Sequence, residues 1–102
     1  MFVGDHGHAY ARFRRALNTG NLMLARAAAA ELGRPLALAD ALDVLALIAR
    51  DEPARYSRAA ARFAGRCAVE HPKVELPELA LLVAVLSAPD SDLLRRVRDA
   101  LP

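Results

Sequence analysis

The sequence predicts an all-α fold, and three observations carry that prediction. Leu and Ala dominate an apolar content of 55% over 102 residues, and both stand at the top of the helix-propensity scale. Val, Ile and the aromatic residues that strands favour are too few to build a sheet, and Trp is absent. Five Gly- or Pro-bearing breaks, near 19–21, 33–35, 51–53, 72–77 and 88–90, separate six segments with helical apolar spacing. A chain of this length is expected to form one domain over 1–102, with 1–5 as a flexible terminus and about two thirds of its unfolded surface buried.

The first segment, 6–18, places Tyr10, Phe13 and Leu17 on one face, with Arg12, Arg14 and Arg15 mostly on the other. The second, 22–32, is small-sided: Ala25, Ala27, Ala28, Ala29 and Ala30 let a neighbouring backbone approach closely. Gly33 follows as the left-handed stop that commonly ends a helix. The third, 36–50, carries Leu38, Leu42, Leu45 and Ala49 as a stripe that Val44 and Ile48 widen. In the fourth, running to about 71, Asp51 is the expected N-cap, with Glu52 and Pro53 in the first turn. Its apolar stripe is Tyr56, Ala60, Phe63 and Cys67. The fifth, 77–87, has no polar face between Leu79 and Leu86, so it is expected to be buried or to lie in an interface. The sixth starts at the cap-like Asp90-Ser91-Asp92. It turns Leu93, Leu94, Val97 and Leu101 inward and leaves Arg95, Arg96, Arg98 and Asp99 solvated. Short links make neighbouring helices antiparallel, which gives about six helices as three consecutive helical hairpins in a compact bundle or short superhelix.

The turn Gly20-Asn21-Leu22-Met23-Leu24-Ala25 resembles the inter-helix turn of tetratricopeptide-like repeats, which carry a Gly, a small polar residue and an Ala on the second helix. The likeness covers about six residues. The first-helix signature of that repeat is missing here, and no second copy recurs at a fixed spacing. The resemblance implies a protein-binding helical scaffold. As a whole the chain also resembles short all-α proteins of high-GC bacteria, a likeness that carries no functional residues.

Charge and cysteine usage narrow the function classes. The chain has 14 basic and 12 acidic residues, a mild excess of +2, and Lys73 is the one lysine among the basic groups. Cys67 is the single cysteine, so no intrachain disulfide forms, which fits a reducing compartment. Residues 1–8 lack the basic and apolar regions of a secretory signal. The apolar run 79–86 is too short to span a bilayer. The expected location is therefore cytoplasmic, with no membrane partner.

No chemistry-bearing constellation is complete. His6 and His8 are two ligands, too few for zinc unless Cys67 and His71 join them. Cys67 and His71 share a helical face at i, i+4, yet Cys67 also continues the stripe of Tyr56, Ala60 and Phe63, so it reads as a buried core residue. As a nucleophile pair they lack an oxyanion loop or a Gly-rich elbow. Asp40 and Asp43 fall near a helix start, where the macrodipole accounts for them. No phosphate-binding or dinucleotide motif is present. The expectation is a protein without catalytic residues, metal or cofactor.

The best-defined polar feature is a basic ridge. Arg55, Arg58, Arg62 and Arg66 are spaced 3, 4 and 4 apart, which holds them within an arc of roughly 80°. An ordinary solvated face has the same pattern, so the ridge needs no function to exist. If it is functional, it is a partner-binding surface. The expected function is a non-enzymatic protein–protein interaction module, an adaptor or a self-associating homo-oligomer subunit. The alternative is a small nucleic-acid-binding regulator that uses the Arg-rich helix. The third and fourth segments have the outline of a helix-turn-helix. Against that, Asp51 and Glu52 stand where DNA would approach, and the fourth segment has no Asn or Gln to read adenine.

Overall fold

The computed structural model describes residues 2–71, 73, 75, 82–84, 86–87 and 96–99, with side chains from residue 7 onward. The fold is all-α: every regular element among the described residues is helical. Four helices have defined bounds, α1 (Phe2–Asn18), α2 (Leu22–Glu31), α3 (Leu38–Asp51) and α4 (Pro53–Glu70). Helical residues at 82–84, 86–87 and 96–99 fall within the fifth and sixth expected segments. The internal contacts divide the chain into two units, Met1–Ala37 and Leu38–Pro102.

In the first unit α1 packs on α2. α1 begins at Phe2, ahead of the expected start near residue 6. The helix runs through Gly4 and Gly7, each of which costs about 1 kcal/mol relative to alanine. Its C-terminus is closed by a Schellman motif. Gly20 takes φ 72°, its N–H donates to the Leu17 carbonyl at 3.0 Å, and the Asn21 N–H donates to the Ala16 carbonyl at 2.8 Å. The Thr19 hydroxyl adds bonds to the carbonyls of Arg15 and Ala16. Asn21 then caps α2: its side-chain oxygen accepts from the Leu24 N–H at 3.0 Å. α2 ends as expected, with Gly33 at φ 68° after a tight final bond from the Leu32 N–H to the Ala29 carbonyl. The Arg12 guanidinium meets the Glu31 carboxylate across the pair. That contact joins the middle of α1 to the end of α2, as an antiparallel hairpin requires.

The buried face of α1 is rotated from the expected one. Ala9, Phe13 and Ala16 are buried and Phe13 is fully enclosed, whereas Tyr10 is 36% exposed and Leu17 is half-buried. Opposite lie Leu22, Ala25, Ala28 and Leu32. Alanines bring two helix backbones close, so they take the centre of the contact, and the larger Tyr10 and Leu17 go to its flanks.

In the second unit α3 packs on α4 across a single residue, Glu52. Leu38, Leu42, Leu45 and Ile48 of α3 are buried, and so are Tyr56, Ala60, Phe63 and Cys67 of α4, the whole expected stripe. The helix break differs from expectation. Asp51 closes α3 and bonds the Arg50 guanidinium at 2.6 and 2.9 Å, and Glu52 occupies the cap position without a side-chain cap bond. Pro53 is the cause. Its ring disfavours helical geometry at the residue directly before it, and Glu52 accordingly sits at φ −136°, ψ 59°. Pro53 itself is well placed at the first position of α4, where its missing N–H is no loss.

One further expectation is corrected and one is narrowed. Arg98, expected to be solvated, is part-buried, and its Nε donates to both carboxylate oxygens of Asp43 at 2.9 and 3.0 Å. Asp43 is therefore held by a cation from 55 residues away in sequence, while Asp40 is buried in the first turn of α3. The fifth segment has a solvent side among its described residues. Leu86 is buried, but Leu82 is half-buried and Val83 is 46% exposed. Burial therefore does not extend all round this segment, which narrows the expectation to its interface arm. No helix among the described residues is long and apolar enough to cross a membrane.

Two stability measurements test this packing. Phe13→Ala should cost about 3–5 kcal/mol in chemical denaturation, against about 1 kcal/mol for Tyr10→Ala, whose ring lies at the edge of Phe13. A larger loss at Tyr10 would restore the expected face. For the ion pair, a double-mutant cycle over Asp43→Ala and Arg98→Ala should give a coupling of about 1 kcal/mol. Simple additivity would show that the pair contributes nothing.

Candidate interaction surface

The ridge lies on α4, which pairs strong helix formers with an arginine at every third or fourth position. Tyr56, Ala60, Phe63 and Cys67 fix the rotation of the helix by their burial. That rotation leaves Arg55, Arg58 and Arg62 exposed and Arg66 partly covered.

The four arginines are not equivalent. The ends of the ridge are met by acids of the same helix or its cap: Arg55 lies 3.8 Å from the Glu52 carboxylate, and Arg66 Nε donates to Glu70 at 2.7 Å. The two central ones, Arg58 and Arg62, make no hydrogen bond or ion pair with any described residue. At about 100° per residue, Val69 falls on the same line as Arg58 and Arg62. Val69 is 81% exposed. The surface is thus two open cations that run into an exposed apolar side chain. Val69 stands at i+7 from Arg62 in the sequence, but a lone apolar residue beside a pattern of charge carries no signal of its own.

The link between α3 and α4 bears on the helix-turn-helix outline. It is one residue long, where that motif uses about three or four.

Cys67 and His71 stand at the C-terminal end of α4. Cys67 is buried, and His71 is half-buried with its N–H on the Cys67 carbonyl at 3.0 Å. Burial pushes the thiol above its ordinary value of 9.0; the charge of Glu70 adds to this and Arg66 partly opposes it. A thiol held protonated is a poor nucleophile and a poor metal ligand. Among the described residues no group of three or more His, Cys, Asp or Glu is placed to hold a metal ion.

Comparison with protein-family models, with curated proteins and with solved structures gives no match, so any function must be argued from these side chains.

The Cys67 environment fixes a pH dependence. The unfolded thiol ionises near 9.0, whereas the folded one stays protonated to higher pH. Raising pH above 9.0 therefore favours the unfolded chain, and stability should fall as pH rises through this range. Cys67→Ala should flatten that part of the curve. At neutral pH a thiol-specific disulfide reagent should label the native protein far more slowly than the denatured one. Equal rates would place Cys67 at the surface.

Proposed function

We propose that this chain is a non-enzymatic helical interaction module that docks an acidic protein surface on α4. The single observation that carries the reading is the alignment of exposed Arg58, Arg62 and Val69 on one line of the helix. Arginine is suited to carboxylates, which it binds through a planar fork of donors. An exposed valine two turns further along the same line adds apolar contact that a protein surface can match and a phosphate backbone cannot. Protein interfaces combine these two elements, arginine and apolar area. Nucleic acid takes its affinity mainly from repeated phosphate contacts, and here two of the four arginines already face acids. No catalytic role is assigned to any residue of the surface.

The test is charge reversal. Arg58→Glu combined with Arg62→Glu should leave stability within about 0.5 kcal/mol of wild type, because both positions are solvated. It should also remove a protein captured by the wild-type chain from its native lysate, and the purified pair should bind with defined stoichiometry. Val69→Ser should weaken the same complex without the steep salt dependence of the arginine variants. Two results contradict the proposal. Retention of every captured protein by the double variant would leave the ridge as a solvated face. Binding to generic duplex DNA with a log–log salt slope of roughly −0.9 per phosphate would instead favour a nucleic-acid regulator.

A further inference from the structure

A groove of about 510 Å³ lies on the first hairpin, lined by His8, Ala11, Arg12 and Arg15 of α1 and by Glu31 of α2. The four α1 residues are spaced i, i+3, i+4 and i+7, which keeps them within an arc of roughly 100°. Ala11 is the one short side chain among them, too short to fill the space beside it. Arg12 is held from two sides: its Nε donates to the His8 carbonyl at 3.3 Å and its Nη2 to the Glu31 carboxylate. Its Nη1 makes no hydrogen bond with any described residue. The Arg15 guanidinium and the His8 ring likewise have no partner among the described residues. Glu31 takes Arg12 on Oε2, and its Oε1 accepts no hydrogen bond from a described residue.

Two guanidinium charges stand against one carboxylate in this groove, so its lining is net positive and suits an anion. Three sources of N–H donors line it: the planar fork of Arg15, the Nη1 of Arg12, and the His8 ring, which carries an N–H in either protonation state. A carboxylate has two oxygens, and the Arg15 fork alone would satisfy them. A terminal phosphate has three strong acceptor oxygens, enough to engage all three sources. Arg12 is already fixed by His8 and Glu31, so it loses less side-chain freedom on binding than an arginine that must first be ordered. The volume exceeds that of a phosphate group several times over and lies within the range of small-molecule sites, which leaves room for an organic body. No aromatic or large apolar side chain lines the groove, whereas Glu31 offers an open carboxylate oxygen. A body that suits these walls carries hydroxyl groups. We infer that this groove is a binding site for a phosphorylated sugar or polyol, with its phosphate on Arg15, Arg12 and His8 and one hydroxyl donating to Glu31. The groove belongs to the unit that does not carry the arginine ridge, so the two sites stand or fall separately.

Three probes test the inference: glucose 6-phosphate, inorganic phosphate and glucose. Each is titrated into the full chain, and binding is read from the Nε–H signals of isotope-labelled arginine. Glucose 6-phosphate should shift Arg12 and Arg15 and saturate at a single site. Inorganic phosphate should move the same two signals with weaker affinity, and glucose should move neither. Arg15→Gln should weaken glucose 6-phosphate roughly ten-fold, the equivalent of one charge-assisted hydrogen bond, with stability near wild type because the side chain is solvated. Glu31→Gln separates a built site from a charged patch. It removes a negative charge, so inorganic phosphate should bind more tightly, while glucose 6-phosphate should lose its advantage over it. Ala11→Leu, which fills the groove from an exposed position without changing charge, should also remove that advantage and provides a second variant should Glu31→Gln alter the hairpin. The site is overturned if the Arg12 and Arg15 signals fail to saturate or if Arg58 and Arg62 shift in parallel with them. It is equally overturned if glucose 6-phosphate binds no more tightly than inorganic phosphate, or if Glu31→Gln tightens both alike.

Discussion

Every helix leaves four N–H and four C=O groups without partners at its ends, and meeting that demand in very few residues shapes the described structure. Between α1 and α2 the chain has three residues in which to do so. Gly20 reaches the left-handed geometry that lets the chain fold back on the α1 carbonyls. Asn21 then serves both neighbours, with its N–H closing α1 and its side chain opening α2. Between α3 and α4 the chain has a single residue, and a proline replaces a cap: Pro53 needs no N–H partner and forces Glu52 out of the helix. Both connections are so short that each helix emerges with its rotation already constrained. The burial of Phe13 on one hairpin and of Tyr56 to Cys67 on the other follows from that.

The rotation of α4 gives its circumference three distinct surfaces. One side is spent on the core with α3. The side bearing Arg58, Arg62 and Val69 faces water. The small side bearing Ala61 and Ala64 faces the segment around Val83 and Leu86 without filling the space between them. Alanine links the last two properties. It lets helices approach, but where the opposing chain does not come all the way in, it leaves room that a Leu would have taken. The same residue type therefore makes α1 and α2 close and leaves α4 with a cavity.

Much of this could be read from the sequence, and the misses share a cause. The stripe Tyr56, Ala60, Phe63 and Cys67 and the stop at Gly33 were legible because periodicity and backbone geometry are local. The ridge residues were legible for the same reason, as positions on a helix. Whether each arginine is open or matched depends on rotamers and on acids at the ends of the helix, so the split between Arg58 and Arg62 on one hand and Arg55 and Arg66 on the other emerged only in three dimensions. Arg98 reaching Asp43 was out of reach altogether, because no local pattern marks a contact across 55 residues. The buried Tyr56 hydroxyl, without a hydrogen-bond partner among the described residues, was hidden as well: an amphipathic residue in an apolar stripe gives no sign of where its polar tip ends up.

The shared cap at Asn21 also bears on the order in which the chain comes together. α1 and α2 are neighbours in sequence, and so are α3 and α4, so the contacts that hold each pair span short stretches of chain and lose little entropy on closure. Such local topologies fold fast. On a ribosome, which releases the chain from its N-terminus, all the groups of the first joint emerge once residue 25 has cleared the exit, before any of α3 or α4 has left it. A nascent chain carrying Asn21→Ala would lose the side-chain bond that starts α2 before the later residues of α2 have emerged to pack on α1. Once the hairpin is complete the same change is felt less, because Ala28 and Leu32 are by then buried in the contact with α1.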